Sequence, residues 1–444
     1  MKRIKDKHIT ILGAVRSGIA AAKLAHKMGA IPFVSDLSNN HSLINELDIL
    51  SIKYELGGHS KKVFDCDFII TSPGVPSNSK VLLEAINQGI KIISEIEFAS
   101  WFCKGSIIAI TGSNGKTTST ELCNHILNNS GVKSYVAGNI GIAFSEIALT
   151  VKENGFVVLE VSSFQLDFID KFKPKFAIIL NITPDHLDRY ENDFNKYAES
   201  KLKINTNQNE DDFLIYNSDD KCLSEFNNFK GSKIPFSLNK LDYGIYIEDN
   251  LFKYKNEKLL ENICPTNVLL IKGEHNQYNA MSVILVAKLL GLNNLSIQRA
   301  LSTFKGVEHR LELVRIINGI SFINDSKATN VDSVWFALRS FNNPIILILG
   351  GKDKGNDYSQ IIKLVEKKVK MIFAIGSSAE KIFNYFQAVV NVQKVVSFED
   401  VVKKAFEIAG KGDIILLSPA CASFDMFNNY EHRGNIFKQI VMNL

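Results

Sequence analysis

The chain has 444 residues, of which 45% are hydrophobic and 22% charged, so it has the composition of a folded globular protein with about two to four domains. Its formal charge of +4 is small for this length and no lysine- or arginine-rich block stands out, so we expect no nucleic-acid partner. No apolar run approaches the roughly 20 residues of a membrane span and no signal-peptide pattern opens the chain, which predicts a cytoplasmic protein without a membrane partner. Its six cysteines include no C-x-x-C pair, so we expect neither a disulfide framework nor a zinc site.

The first segment alternates predicted strands, at residues 8–14, 31–36, 64–76 and 91–96, with an amphipathic helix at 19–28. This pattern predicts a doubly wound, Rossmann-like α/β unit. Its first turn has Val15 in place of the middle glycine of G-x-G-x-x-G, which argues against a pyrophosphate lying tightly on the backbone. Asp36 ends the second strand, where such folds bind a ribose or a base. A helix-capping or solvent-exposed aspartate is the alternative.

A phosphate-binding loop is predicted in the second segment, where a buried strand at 107–110 is followed by Gly112, Ser113, Asn114, Gly115, Lys116, Thr117 and Thr118. Glycines let successive N–H groups turn towards phosphate oxygens, and the helix start adds positive potential. Lys116 is expected to reach the β- and γ-phosphates and Thr117 to bind Mg²⁺, which predicts ATP or GTP binding. The loop is two residues shorter than the usual P-loop, and an ordinary glycine turn is the alternative.

Two further predicted strands, at 156–161 and 176–182, lead into polar residues. A carboxylate in an apolar strand, as at Glu160, is costly unless it is paired or metal-bound. His186 follows the other strand, so both side chains can face Thr117 at the carboxyl edge of the sheet. We predict a largely oxygen-lined Mg²⁺ neighbourhood here, with a structural histidine as the alternative for His186. Residues 213–271 are β-like, and a long helix opens at 273–280 with Asn276 and Asn279 on one face, where capping amides are one interpretation.

The third segment begins near residue 306 and has five predicted strands, at 319–324, 345–350, 371–376, 394–397 and 413–418. They predict a second doubly wound sheet, with polar loops at 325–330, 350–355 and 418–424 forming a binding surface. Lys327 and Lys354, with the hydroxyls of Thr329 and Ser423, suit a carboxylate-rich small molecule. Either lysine alone could simply be solvated.

Seven stretches along the whole chain resemble the Mur ligase family: T-G-S-N-G-K-T-T, G-N-I-G, L-E-V-S-S-F-Q-L, N-I-T-P-D-H-L-D-R-Y, G-E-H-N, N-D-S-K-A-T-N and L-S-P-A-C-A-S-F-D-M-F. The short phosphate loop is this family's own version. The resemblance implies an N-terminal Rossmann-like domain at 1–98 for a uridine nucleotide, a central P-loop mononucleotide-binding ATPase domain at 99–305, and a C-terminal Rossmann-like, amino-acid-binding domain at 306–444. Within the family, N-D-S-K-A-T-N together with S-P-A-C-A-S indicates D-glutamate addition.

The resemblance further implies an ATP- and Mg²⁺-dependent ligase of peptidoglycan synthesis, and hence of cell-wall formation, cell shape and cell division. ATP would phosphorylate the carboxylate of UDP-N-acetylmuramoyl-L-alanine, and the D-glutamate amine would attack the acyl phosphate. We expect a monomer whose partners are these small molecules. The alternatives are a related ligase with another amino acid or a folate acceptor, and a nucleotide-dependent regulatory switch, which would leave the loops of the third segment without a role.

Residue roles follow from the resemblance, position by position. The implied catalytic residues are Lys116, Glu160, His186 and Lys201. The implied metal ligands are Thr117, Glu160, His186 and Lys201 as a carbamate. Without the resemblance, Lys201 would be interpreted as a surface helix residue.

The remaining implied contacts fall into three groups. The ATP contacts are residues 112–118, Asn276, Asn279, Arg310 and Asp325, with His309 beside them. The contacts to the UDP-substrate are Ser17, Asp36, Gly74 and Asn139, although Val15 and Leu37-Ser38 depart from the family pattern. The D-glutamate contacts are His186, Lys327, Thr329, Lys354, Ser423 and Phe424, with Lys352 as a possible substitute for Lys354.

Overall fold

The structure is a computed structural model that describes residues 4–39, 44–226, 230–353 and 355–444. Three β-sheets follow one another along the chain, and helices pack on each of them. The chain folds into two compact units: residues up to Leu269 with Gln277–Phe304, and Leu270–Asn276 with Lys305–Leu444. The first two sheets lie in the first unit and the third sheet in the second. The predicted α/β class, with three largely parallel sheets, is confirmed.

The first sheet is parallel throughout. Its elements are β1 (His8–Leu12), α1 (Arg16–Lys27), β2 (Ile31–Asp36), α2 (Asn45–Ile49), β3 (Lys53–Leu56), β4 (Phe68–Thr71), α3 (Lys80–Asn87), β5 (Ile92–Ser94) and α4 (Glu95–Ser100). The strand order is β3-β2-β1-β4-β5. The sheet therefore extends from β1 in both directions, with β2 and β3 on one side and β4 and β5 on the other. The crevice at its carboxyl end is where ligands bind in such sheets. The strand predicted at 64–76 is shorter than expected because Lys61–Phe64 forms a 3₁₀ turn.

The middle sheet is parallel except at one edge. Its elements are β6 (Ser106–Thr111), α5 (Lys116–Asn129), β7 (Ser134–Gly138), α6 (Phe144–Ile147), β8 (Phe156–Glu160), α7 (Ser163–Leu166), β9 (Phe176–Ile179), α8 (Phe194–Leu202), β10 (Phe213–Asn217), α9 (Lys221–Glu225), β11 (Ser232–Ser237), β12 (Gly244–Glu248), β13 (Leu251–Lys255), β14 (Leu260–Pro265), α10 (Glu274–Leu289) and α11 (Asn294–Leu301). The order is β14-β13-β12-β11-β10-β9-β6-β8-β7, and β13 runs antiparallel to both of its neighbours, β12 and β14. The apolar strand β6 lies between β8 and β9, which explains its unbroken hydrophobic run.

The third sheet comprises β15 (Glu312–Ile317), β16 (Ile320–Asn324), α12 (Val331–Arg339), β17 (Ile345–Gly350), α13 (Ile362–Lys368), β18 (Val369–Ile375), α14 (Ala379–Phe386), β19 (Asn391–Lys394), α15 (Phe398–Ile408), β20 (Ile414–Leu417) and α16 (Tyr430–Met442). The order is β15-β16-β20-β17-β18-β19, and only β15 runs antiparallel to its neighbour among these described strands. The strand predicted at 394–397 is wrong in position: β19 ends at Lys394 because Val396 is exposed and Ser397 caps α15.

One apolar core extends through both sheets of the first unit. It includes Ile11 and Ala21 of the first sheet layer, Phe98 of α4, and Phe144 and Val157 of the middle layer. The alanine-rich helix α1 packs against both α4 and α6, because small side chains let helices approach closely. Across the described ranges, no helix combines the length and the apolar character needed to cross a lipid bilayer.

Candidate functional site

The phosphate loop connects β6 to the first turn of α5. Gly115 precedes the helix with φ +85°. The ammonium of Lys116 lies over the loop, where Nζ donates to the carbonyl oxygens of Gly112 at 2.7 Å and Ser113 at 2.8 Å. The backbone N–H of Asn114 donates to Oδ1 of Asn181, beyond β9, at 2.9 Å. This is the predicted strand–loop–helix arrangement, with a cation and a helix N-terminus at one place.

Glu160 is at the carboxyl end of β8 and is 2% exposed. The Thr117 hydroxyl donates to its Oε2 at 2.7 Å, and the Asn139 amide donates to its Oε1 at 2.9 Å. These bonds satisfy a carboxylate that would otherwise be costly to bury. A hydroxyl and a carboxylate in contact form an oxygen donor set that fits Mg²⁺. The described residues hold no group of three or more His, Cys, Asp or Glu side chains arranged for a metal.

Lys201 is on α8 and is 2% exposed, so its interpretation as a surface residue is wrong. Its Nζ donates to the Gly112 carbonyl oxygen at 2.9 Å and lies 4.7 Å from the ring centre of Tyr197. Burial, and then the nearby charge of Lys116, hold the pKa of Lys201 well below the ordinary value for lysine. The structure therefore brings Lys201, Lys116, Thr117 and Glu160 to the same edge of the middle sheet.

His186 follows β9 and has φ +51°, in the left-handed region. Its side chain is 41% exposed, and Nε2 lies 3.7 Å from Oδ2 of Asp185. The ring packs edge-on against Phe164, with the ring centres 5.4 Å apart. Since Phe164 belongs to α7, directly after the strand that carries Glu160, His186 is at the same edge of the sheet as the phosphate loop.

The residues predicted to contact the uridine nucleotide lie on two sheets. Asp36 accepts bonds from the N–H groups of Ala14 at 2.6 Å and Ser38 at 2.8 Å, so it fixes the loop after β1. Ser17 is in the first turn of α1, and Gly74 follows β4. Those residues share the carboxyl edge of the first sheet, whereas Asn139 contacts Glu160 on the middle sheet.

Asp325 is the buried carboxylate of the third sheet, 4% exposed at the end of β16. Its Oδ2 accepts a bond from the Ser418 hydroxyl at 2.8 Å, and its Oδ1 accepts one from the Leu311 N–H at 3.2 Å. Burial raises its pKa to about 7, while the Arg310 guanidinium acts in the opposite direction. His309 is 4% exposed, and its Nδ1 lies 2.9 Å from Nδ2 of Asn324.

The residues predicted to hold D-glutamate are on loops of the same sheet. The Lys327 ammonium lies 5.2 Å from the ring centre of Tyr430, and Ser423 is buried. Thr329 is half-buried, while Phe424 is 69% exposed. Lys354 lies outside the described residues. Their role as a substrate pocket stays a prediction.

Two residues of this region were missed by the sequence analysis. Tyr430 contacts Lys327, as described above. Arg433 is 3% exposed and donates to the backbone oxygens of Ser326 and Cys421, which joins two polar loops. Arg433, Phe437 and Val441 are four residues apart on the buried face of α16, and this spacing was a signal that the arginine points inward.

Comparisons with known proteins cover most of the chain. The MurD-like N-terminal domain of Mur ligases matches residues 7–94, the Mur ligase middle domain residues 110–287, and the Mur ligase glutamate ligase domain residues 309–421. The UDP-N-acetylmuramoylalanine–D-glutamate ligase of Chloroherpeton thalassium is 43% identical, over 100% of this chain and 99% of that protein. The protein of the same name in Christiangramia forsetii is 44% identical, over 99% and 100%. The chain belongs to the Mur ligase family.

Solved structures of other Mur ligases share its fold. The UDP-N-acetylmuramate–alanine ligase of Thermotoga maritima matches with a TM-score of 0.62 at 20% identity, over 98% of this chain and 99% of that chain. A MurF ligase from the same organism, solved with ADP, matches with 0.62 at 14% identity, over 99% and 96%. The predicted family and the predicted fold are thereby confirmed.

Proposed function

We propose that this Mur ligase joins D-glutamate to UDP-N-acetylmuramoyl-L-alanine in an ATP-dependent step of peptidoglycan synthesis. The observation that carries the proposal is the 39 to 44% identity, over nearly the full chain, to relatives named UDP-N-acetylmuramoylalanine–D-glutamate ligase. The phosphate loop, the Glu160 cluster and the buried Lys201 supply the chemical groups that such a reaction needs.

The first step activates a carboxylate, which is a poor electrophile while its oxygen is a poor leaving group. An oxygen of the substrate carboxylate attacks the γ-phosphorus of ATP, ADP leaves, and an acyl phosphate forms. Lys116 turns from the loop carbonyl oxygens to the phosphates, whose charge makes them stronger acceptors. The N–H groups at the start of α5 stabilise the charge on the transferring group. We assign residues 112–118, Asn276, Asn279, Arg310 and Asp325 to ATP binding.

The second step forms the amide bond. The D-glutamate amine attacks the acyl carbon, and phosphate leaves from the tetrahedral intermediate. We assign the carboxylates of D-glutamate to Lys327, Thr329, Lys354, Ser423 and Phe424, with His186 beside the amine. Since Lys327 and Lys354 are cationic, they suit a dianionic amino acid.

Mg²⁺ would be held by Thr117, Glu160, His186 and a carbamate on Lys201, and would neutralise charge on the phosphates. The hydrogen-bonded pair of Thr117 and Glu160 supports this assignment. Only a neutral amine reacts with CO₂, so the lowered pKa of Lys201 supports carbamate formation. The carbamate would replace a cation by an oxygen ligand.

The domain roles are part of the same proposal. Residues 1–98 would hold the UDP-sugar through Ser17, Asp36 and Gly74, with Asn139 contributing from the central domain at 99–305, and residues 306–444 would hold the amino acid. It stays a prediction that the enzyme works in the cytoplasm as a monomer.

The decisive experiment is the mass of the product formed from ATP, UDP-N-acetylmuramoyl-L-alanine and D-glutamate. We expect the acid to gain one glutamyl residue, with one phosphate released per product and no reaction when either acid or amine is omitted. Parallel reactions with L-glutamate, L-lysine and L-alanine serve as controls. Turnover of one of these in place of D-glutamate, or of a folate acceptor, would support a related ligase instead. Nucleotide hydrolysis that ignores all of these substrates would support a regulatory switch.

A further inference from the structure

The segment that carries His186 is held in an unusual backbone conformation. His186, Glu191 and Asn192 have φ values of +51°, +58° and +60°, although none of them is glycine. Such conformations persist only where surrounding contacts hold them, and they concentrate at functional sites. Arg189 is in the 3₁₀ turn Leu187–Tyr190 between these residues. Its contacts are therefore candidates for what holds the segment.

Arg189 joins the loops that follow three different strands. Its Nη1 donates to the Pro73 carbonyl oxygen at 3.0 Å, and its Nη2 lies 3.5 Å from the Gly74 oxygen, in the loop after β4. Its guanidinium carbon lies 4.3 Å from the ring centre of Phe164, which follows β8. The same ring packs against His186, after β9. One side chain thus connects the carboxyl edge of the first sheet with that of the middle sheet, both within the first unit.

The loop after β4 also contacts the first turn of the first sheet. A Cβ on Gly13 would lie 2.8 Å from the Ser72 hydroxyl oxygen, so these two loops are in close contact. The Ser72 hydroxyl is buried and has no hydrogen-bond partner among the described residues. The Val75 N–H donates to the Ser72 carbonyl oxygen at 3.0 Å, which closes the loop as a tight turn. Any displacement of this turn would therefore move the edge at which we place the UDP-sugar.

We propose that Arg189 is a positioning residue that sets where the acid substrate lies relative to the phosphate loop. This inference rests on the proposed function, because it concerns the binding of the UDP-linked acid. Its two bonds fix the loop after β4, and its stacking on Phe164 fixes that loop relative to His186 and the end of β8. Phosphoryl transfer requires the attacking oxygen and the γ-phosphorus to be aligned, and small misplacements reduce the rate strongly.

The first test is the steady-state kinetics of Arg189→Ala. We expect kcat to fall about tenfold or more and the KM for UDP-N-acetylmuramoyl-L-alanine to rise, while the KM for ATP changes less than about twofold. Arg189→Lys should recover part of the loss, since it can donate to Pro73 but cannot stack as a planar group on Phe164. Arg299→Ala removes an exposed arginine of α11 and should leave both KM values unchanged. Equal rises in both KM values, or an unchanged kcat, would overturn the proposal.

The second test needs no turnover. Hydrogen exchange of the Val75 amide, measured without substrates, should be faster in Arg189→Ala than in the wild-type chain or in Arg299→Ala. Unchanged exchange would contradict the inference even if the enzyme is active as proposed. If the wild-type chain forms no product with D-glutamate, the proposed function fails. In that case the role of Arg189 is decided by two measurements on the wild-type chain and the variants. These are the exchange rate of the Val75 amide and the affinity for the UDP-linked acid, measured by calorimetry.

Discussion

At the scale of single residues, the environment of Lys201 is the most informative. A lysine side chain is rarely buried unless it is paired or has lost its charge. Lys201 donates to a carbonyl oxygen, and its burial and then the nearby charge of Lys116 both lower its pKa. A lowered pKa favours the neutral amine, which is the form that reacts with CO₂.

We therefore expect Lys201→Ala to lose about 100-fold or more in product formation, because a metal ligand would be removed. Small added carboxylates such as formate should restore part of the activity. Lys203→Ala is a matched control, since this side chain is 45% exposed and lies 3.4 Å from Asp167. Full activity of Lys201→Ala, or a loss that no carboxylate relieves, would argue against the carbamate.

A second residue-scale prediction concerns the pH dependence of stability. Glu95 is 1% exposed, and its Oε1 accepts a bond from the Ser145 N–H at 2.5 Å. Its Oε2 has no hydrogen-bond partner within the part of the chain that the structure describes. Burial, aided by Glu146, raises the pKa of Glu95 to about 7, although Ser145 and Arg16 act in the opposite direction. Between the ordinary pKa of 4.5 and this value, the folded chain keeps a proton that the unfolded chain releases. The contribution of Glu95 to stability therefore falls as pH rises through this window.

Glu95→Gln removes this titration while keeping the shape of the side chain. The free energy of unfolding of the variant minus that of the wild-type chain should increase from pH 5 to pH 8, by on the order of 2 kcal/mol. Urea unfolding at both pH values measures the difference, with Glu153→Gln at an exposed position as control. Parallel pH profiles for Glu95→Gln and the wild-type chain would show that Glu95 does not titrate in this window.

At the scale of elements, the phosphate loop depends on the close approach of Gly115 to helix α10. Gly115 has φ +85°, and a Cβ there would lie 2.3 Å from Oδ1 of Asn279 on α10. Gly131, after the other end of α5, has φ +81°, but apart from its chain neighbours no described residue lies within 4 Å of its Cβ position. The two glycines share the same backbone requirement and differ in their surroundings.

Both Gly115→Ala and Gly131→Ala should lose about 1–2 kcal/mol of stability, because alanine is disfavoured in the left-handed region. Only Gly115→Ala should also lose ATP-dependent product formation, by about tenfold or more, because its Cβ displaces the loop from α10. Thermal unfolding and the ATP dependence of the rate measure the two effects. Equal activity losses in the two variants would show that the close approach has no functional consequence.

The elements also show which local sequence patterns were sufficient to predict a strand. Runs of β-branched residues correctly predicted the buried parallel strands, since such strands are apolar on both faces. The hairpin from β15 to β16 was missed although Asn318-Gly319 is a typical hairpin turn, with φ values of +52° and +80°. The strand β15 has several exposed residues, so its burial pattern did not indicate a strand.

At the scale of the whole molecule, Glu97 of α4 connects the first sheet to the middle sheet. Glu97 is fully buried, and its Oε2 accepts bonds from the N–H groups of Asp170, Lys171 and Phe172 at 2.9, 2.9 and 2.6 Å. Its Oε1 accepts a bond from the indole N–H of Trp101 at 2.6 Å. Four bonds to one carboxylate are consistent with both sheets belonging to one compact unit.

Glu97→Ala should lower the free energy of unfolding of the first unit by about 3 kcal/mol or more, because three backbone N–H groups lose a charged acceptor. Hydrogen exchange followed by mass spectrometry can be evaluated separately for the two units. Peptides from Lys305–Leu444 should be unaffected, and Glu84→Gln, at an exposed position on α3, should change neither unit. Equal destabilisation of both units would contradict a local role for Glu97.

Local sequence patterns were enough to predict the three sheets and the phosphate loop, because an apolar run followed by G-S-N-G-K-T-T specifies strand, loop and helix over a few neighbouring residues. The tertiary structure decided which side chains meet. Lys201 reaches a carbonyl oxygen 89 positions away, Glu160 pairs with an amide 21 positions away, and Arg189 reaches a loop 116 positions away. Contacts of this kind depend on how whole elements pack, and local patterns do not specify which pairs of distant side chains meet.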